Sequence, residues 1–206
     1  MKKAIKITIL VAALLIAGLT SAQAVTFTPN GNSELSDLPH GRYYVWGLKW
    51  TLPANEHIVS ATLTYKDIYN WKDSDQDPNH LYTHLFNTLP AGYYMNGSTN
   101  KVWTGSDADG GQDKFLTWSD PGYAFETWTD PVGGSSQGFD LVYNIPVEYF
   151  SWLSDGKFGF GIDPDCHYFN NGIELEIITG VPEPASMTLL GLGLLGLVGL
   201  RKRGKR

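Results

Sequence analysis

The densest chemistry in the chain is the run Asp73-Ser74-Asp75-Gln76-Asp77-Pro78-Asn79. Carboxylates at alternate positions of a loop can converge on one hard cation, and Ca2+ takes six to eight oxygen ligands at about 2.3–2.6 Å. Asp73, Asp75, Asp77 and Asn79 are then the candidate ligands. The same run also reads as a solvated polar turn between strands. A second pair, Asp163 and Asp165, flanks Pro164 at a turn before the last strand. It can serve a loop-borne cation, shared with the first run if the fold joins the two, or simply cap its own turn. Asp107, Asp109 and Asp113, set among glycines, form a weaker third group.

The first run resembles the start of an EF-hand loop at Asp73, Asp75, Asp77 and Asn79, and then departs from it. Pro78 stands where the turn glycine belongs and His84 where the bidentate Glu belongs, which excludes a complete EF-hand. His80 and His84 are spaced like the zinc ligands of a metalloprotease helix, but Leu81 occupies the place of the catalytic Glu. Cys166 and His167 are adjacent, and neighbours on a strand point to opposite faces, so the imidazole is not placed to activate the thiol. No Gly-x-Ser-x-Gly elbow or phosphate loop occurs. The aspartates are numerous enough for some to meet by chance, so no glycosidase pair can be argued from spacing.

The aromatic residues admit two roles. All 7 Trp, 11 Tyr and 9 Phe lie between residues 25 and 180. Tyr44, Trp46 and Trp50 share one alternating face and read as core. Trp71, Tyr93, Tyr94, Trp103, Trp118 and Trp128 stand near polar or Gly-rich stretches. Any of these left exposed offers a flat ring to the apolar face of a sugar.

The elements that must position these groups are strands. Period-two alternation runs through Tyr44, Trp46, Leu48 and Trp50, and through Val59, Ala61, Leu63 and Tyr65. It recurs in Phe139, Leu141, Tyr143 and Ile145, and in Ile173, Leu175 and Ile177. Such alternation marks half-buried strands with one wet face. Less regular strands are expected over 81–86, 101–104, 114–118, 123–129 and 157–162. Asn-Gly, Asp-Gly and Gly-Gly turns separate them, and one short helix is expected over 146–153, stopped by Asp155-Gly156. The fold class is therefore all-β, a two-sheet β-sandwich of jelly-roll type.

The two ends are of another kind. Lys2, Lys3 and Lys6, the apolar run 7–19 and the small-x-small pattern at Ala22 and Ala24 make residues 1–24 a signal peptide, cleaved by signal peptidase after Ala24. At the other end, Val181-Pro182-Glu183-Pro184 precedes 16 uncharged residues, 185–200, and then Arg201-Lys202-Arg203-Gly204-Lys205-Arg206. The apolar segment, as a helix, reaches about 24 Å at ~1.5 Å per residue. That makes it a marginal membrane span, with the basic cluster on the cytoplasmic side.

This three-part end, residues 181–206, resembles the PEP-CTERM sorting signal of Gram-negative bacteria. The resemblance implies recognition and cutting near the motif by an exosortase, in cells that also make exopolysaccharide. Residues 158–177 are similar to the closing strand pair of many exported proteins of this type, and 58–86 to their other shared segment. Those proteins look like jelly rolls related in shape to carbohydrate-binding modules.

Removing both ends sharpens the electrostatics. Of 15 basic and 21 acidic side chains, eight basic ones but only Glu183 of the acids lie in the ends. Residues 25–180 form one domain with 20 acids against 7 bases, a balance of −13. This excludes a nucleic-acid footprint and favours divalent cations. Cys166 has no partner for an internal disulfide and is expected to be buried. The chain thus reads as an exported protein, held at the inner membrane as a precursor and then displayed at the cell surface or in the matrix. It is expected to be non-enzymatic and to contact exopolysaccharide, with Ca2+ as an accessory ion. An extracellular polysaccharide hydrolase is the alternative.

Overall fold

Strand β3 (Arg42–Leu48) shows why the chain makes two layers: Tyr44, Trp46 and Leu48 point one way into a large core, and Val45 points the other way into a smaller one. The computed structural model describes residues 22–29, 35–71, 79–89, 101–107, 111–134 and 137–182. The remaining strands are β1 (Ala22–Phe27), β2 (Asp37–Leu38), β4 (His57–Asn70), β5 (His80–Phe86), β6 (Lys101–Ser106), β7 (Tyr123–Ala124), β8 (Trp128–Thr129), β9 (Phe139–Asn144), β10 (Phe158–Pro164), β11 (Tyr168–Phe169) and β12 (Ile173–Gly180). One sheet runs β1-β12-β4-β11-β2, with β9 also on β4. The other runs β6-β3-β10-β5-β7, with β8 also on β5.

The sheets meet through their apolar faces, as the alternation requires. Phe160 lies between Trp46 and Leu85, and Ile162 between Tyr44 and Thr83, in direct cross-strand register. Leu63, Tyr65, Leu175, Ile177 and Tyr168 of the first sheet join them in one buried cluster. Each such side chain contributes about 1.5–3 kcal/mol on burial, and no disulfide supplements them. A hydrogen bond between Tyr65 Oη and Thr83 Oγ1 at 2.9 Å ties the layers together. Burial pushes the Tyr65 phenol well above its ordinary pKa. The all-β, two-sheet sandwich expected from the alternation is therefore the observed fold.

Several local expectations change. In β4 the inward phase slips between Ile58 and Ala61, so Ile58 is buried while Val59 is 54% exposed. A one-residue slip moves a side chain to the other face. A second irregularity lies between Tyr65 and Ile68, where the register with β9 shifts and Asp67 takes φ 49°. Residues 114–118 are not a strand but a 3-10 turn, Lys114–Thr117, whose start Asp113 caps by accepting from Phe115 N at 3.1 Å. The expected helix is a 3-10 turn, Val147–Tyr149, running into α1 (Phe150–Ser154). The apolar C-terminal helix and most of the signal peptide lie outside the described residues. Among the described residues no helix is long and apolar enough to cross a membrane.

A second, smaller compact unit contains Gln23, Asn55–His57 and residues 179–182. Within it the Thr179 hydroxyl donates to the Glu56 carboxylate.

Candidate functional site

Among the described residues three places carry chemistry: the aspartates at the end of β10, the covered outer face of the second sheet, and the open outer face of the first. Asp73, Asp75 and Asp77 lie outside the described residues. Asn79 is half-buried just before β5.

Asp163 and Asp165 are described, and backbone donors engage both. Asp163, 2% exposed, accepts from Lys114 N at 2.7 Å. Asp165 accepts from the His80 backbone N–H and returns its own N–H to His80 O at 3.0 Å, locking the turn after β10 to the start of β5. Burial raises the Asp163 carboxyl from 3.8 to about 7. The Lys114 N–H opposes that rise, while the nearby Asp107, Asp113 and Asp165 add to it. Asp107 is buried as well, with Oδ1 3.6 Å from Lys114 Nζ. Among the described residues no group of three or more His, Cys, Asp or Glu side chains is disposed to hold a metal ion.

Beside this cluster sits a polar pair that spacing alone did not reveal. His84, 1% exposed, reaches Asp113 Oδ2 through Nε2 at 2.7 Å and Pro121 O through Nδ1 at 2.6 Å. The Pro121 carbonyl can only accept, so Nδ1 donates to it. The ring lies against Phe115 and Phe86, with centroids at 5.2 and 6.0 Å. His80 and His84 therefore serve a strand, and His80 Nδ1 meets Thr129 Oγ1 at 3.0 Å. The His84–Asp113 link pins the 3-10 turn onto the sheet, where Val45, Phe86, Leu89 and Phe115 make the smaller core. Trp103 and Trp118 pack against that core, and Trp128 against the main one. Tyr93 and Tyr94 lie outside the described residues.

Trp71 is different: it is 54% exposed. The irregularity at Lys66–Asp67 explains its direction. Strict alternation from Tyr65 would turn Tyr69 and Trp71 inward, but the extra residue sends Ile68 and Asn70 into the core instead. Phe169 pairs with Tyr69 on one side and with Asp37 on the other, while Tyr168 pairs with Asn70 and Leu38 beneath them. The Trp71 N–H donates to His167 O at 3.1 Å. Tyr69, Trp71, His167, Phe169 and Asp37 thus share the outer face. Their rings form a continuous run, with centroids at 5.7 Å for Tyr69–Phe169, 4.7 Å for Phe169–His167 and 5.8 Å for His167–Trp71. His167 Nε2 meets the exposed Asp37 carboxylate. Cys166 faces the other way and is half-buried rather than fully buried, with Sγ 3.4 Å from Asn70 Oδ1.

The backbone under this face is held firmly. Asn170 donates through its side chain to Leu35 O at 2.6 Å and through its backbone to Ser36 O at 3.0 Å, fixing the short strand β2. Asp130 accepts from Asn70 N at 2.7 Å, fixing the end of β4.

Beyond β12 the chain emerges at Val181 and Pro182, both exposed. Glu183 and Pro184 lie outside the described residues. The expected signal-cleavage residues Ala22 and Ala24 lie exposed in β1. Residues 180–203 match the family model for the PEP-CTERM protein-sorting motif. The chain carries a PEP-CTERM sorting signal. The motif marks an exported protein made as a membrane-anchored precursor and processed by an exosortase. A comparison with curated proteins finds no match to the chain.

Proposed function

We propose that the mature chain is a non-enzymatic surface or matrix protein whose β-sandwich contacts exopolysaccharide. The observation that carries this reading is the sorting motif at 180–203, which starts at the last residue of β12. What the sorting route displays is therefore the sandwich itself. Its −13 balance favours neutral over anionic partners. The buried polar groups His84, Asp113 and Asp163 are bound to backbone or to each other, as groups that hold a fold are.

Contact with few exposed rings implies weak affinity, with Kd on the order of 10 µM to 1 mM. A glycan array probed with the exported protein, with and without calcium, should give hits, and reducing-end assays on those hits should show no product. Released sugar would replace this reading with a polysaccharide hydrolase. A blank array under both conditions would remove the glycan.

A further inference from the structure

We propose that the outer face built by Tyr69, Trp71, His167, Phe169 and Asp37 is a binding platform for a neutral polysaccharide chain; the inference rests on the glycan-contact reading above and names its site. Cross-strand aromatic pairs on a sheet are worth about 0.2–1 kcal/mol, which accounts for Tyr69 beside Phe169. It does not account for Trp71, the largest side chain type, left 54% exposed at the end of the same run. A flat ring in that position gains its burial from a ligand.

The chemistry of the face selects the ligand. A pyranose presents axial C–H groups on one face and hydroxyls around its rim. The C–H face packs on aromatic rings, and the hydroxyls donate to an acceptor at the edge, here the exposed Asp37 carboxylate beside His167. The run of rings through Tyr69, Phe169, His167 and Trp71 suits an extended chain of sugars better than a single one. An anionic chain would meet Asp37 and the net −13 of the domain, so a neutral one fits. Five side chains are far fewer than the roughly 20–30 residues per partner that a stable protein interface uses, so a protein partner fits less well. The backing by Asn170 and Asp130 means that little ordering is needed on binding.

The test is affinity electrophoresis of the exported protein in native gels containing laminarin, hydroxyethylcellulose, xylan, galactomannan or dextran, with alginate as the anionic comparison. At least one neutral polymer should retard the wild type. Trp71→Ala should weaken that retardation about tenfold or more, since one stacked ring is lost. Trp71→Phe should keep most of it, and Leu116→Ala, an exposed apolar residue of the 3-10 turn over the other sheet, should change nothing. Melting curves should show Trp71→Ala folded as stably as the wild type, and Phe169→Ala provides a second, independent loss of stacking. Retardation that persists in both Trp71→Ala and Phe169→Ala would overturn the platform and leave glycan contact standing. No retardation of the wild type by any neutral polymer would overturn both. Stronger retardation by alginate than by the neutral polymers would overturn the choice of ligand.

Discussion

Gly161 of β10 and Phe115 of the 3-10 turn touch so closely that a Cβ at Gly161 would stand 2.6 Å from Phe115 Cζ. The Phe158-Gly159-Phe160-Gly161 pattern thus has two purposes. Its phenylalanines fill the main core, and its glycines leave the opposite face bare for Leu89 and Phe115 to lie against the backbone. Gly161→Ala should therefore displace Phe115 and destabilise the fold by about 1–3 kcal/mol, the usual cost of overpacking. Denaturant unfolding measures this directly, and an unchanged midpoint would show that the covering turn is loosely held.

The same turn depends on His84 and Asp113, which face each other with almost no access to water. Removing one partner of a buried hydrogen bond leaves the other unsatisfied and costs about 1–3 kcal/mol. Asp113→Ala should fall in that range, and the double variant His84→Leu with Asp113→Ala should be less damaged than the sum of its parts. Additive single effects in such a cycle would mean that the two residues do not act as a pair.

Asp163 gives a pH signature. Its folded pKa of about 7 lies above the ordinary 3.8, chiefly because it is buried. Between these values the folded chain binds more protons than the unfolded one, so stability falls as pH rises. The favourable contribution is complete below about pH 4 and is lost as pH passes through about 7. The span corresponds to on the order of 4 kcal/mol at 1.36 kcal/mol per unit. Asp163→Asn keeps an oxygen for Lys114 N–H and removes the titration. The variant should be more stable than the wild type at pH 8 and should lose that advantage at pH 4. Parallel melting temperatures across the range would contradict the assignment.

Strands whose faces repeat without interruption were the legible part of this sequence. Tyr44, Trp46 and Leu48 in β3, and Ile173, Leu175 and Ile177 in β12, point inward as alternation demands. Trp71 stood among the rings open to exposure, but the face it joins was hidden for a definite reason. Tyr69 and Trp71 reach it only because β4 carries an extra residue at Lys66–Asp67, and nothing in period two announces such an irregularity. Asp37 and Phe169 belong to two-residue strands, too short to leave a pattern. Residues 114–118 carry apolar side chains with no helical period, so they resembled a strand. Their 3-10 turn is set by a cap at Asp113 and a bare patch at Gly161, one local and one distant.

The sorting signal yields the last prediction. Residues 185–200 reach about 24 Å as a helix against about 30 Å of hydrocarbon, and glycines at 191, 193, 196 and 199 weaken that helix further. Such a segment suits transient anchorage better than permanent residence. Val181 and Pro182 are exposed just after β12. The released protein should therefore lack residues 189–206, and its first residue should be Val25 if the signal is cut after Ala24. Intact mass and N-terminal sequencing of surface-released material read both ends at once. Replacing Pro182, Glu183 and Pro184 together with alanine should leave the precursor uncut in the inner membrane, while the sandwich, which ends at Gly180, melts as before. A released protein that still carries Arg201 to Arg206, or a triple variant processed like the wild type, would refute processing at this motif.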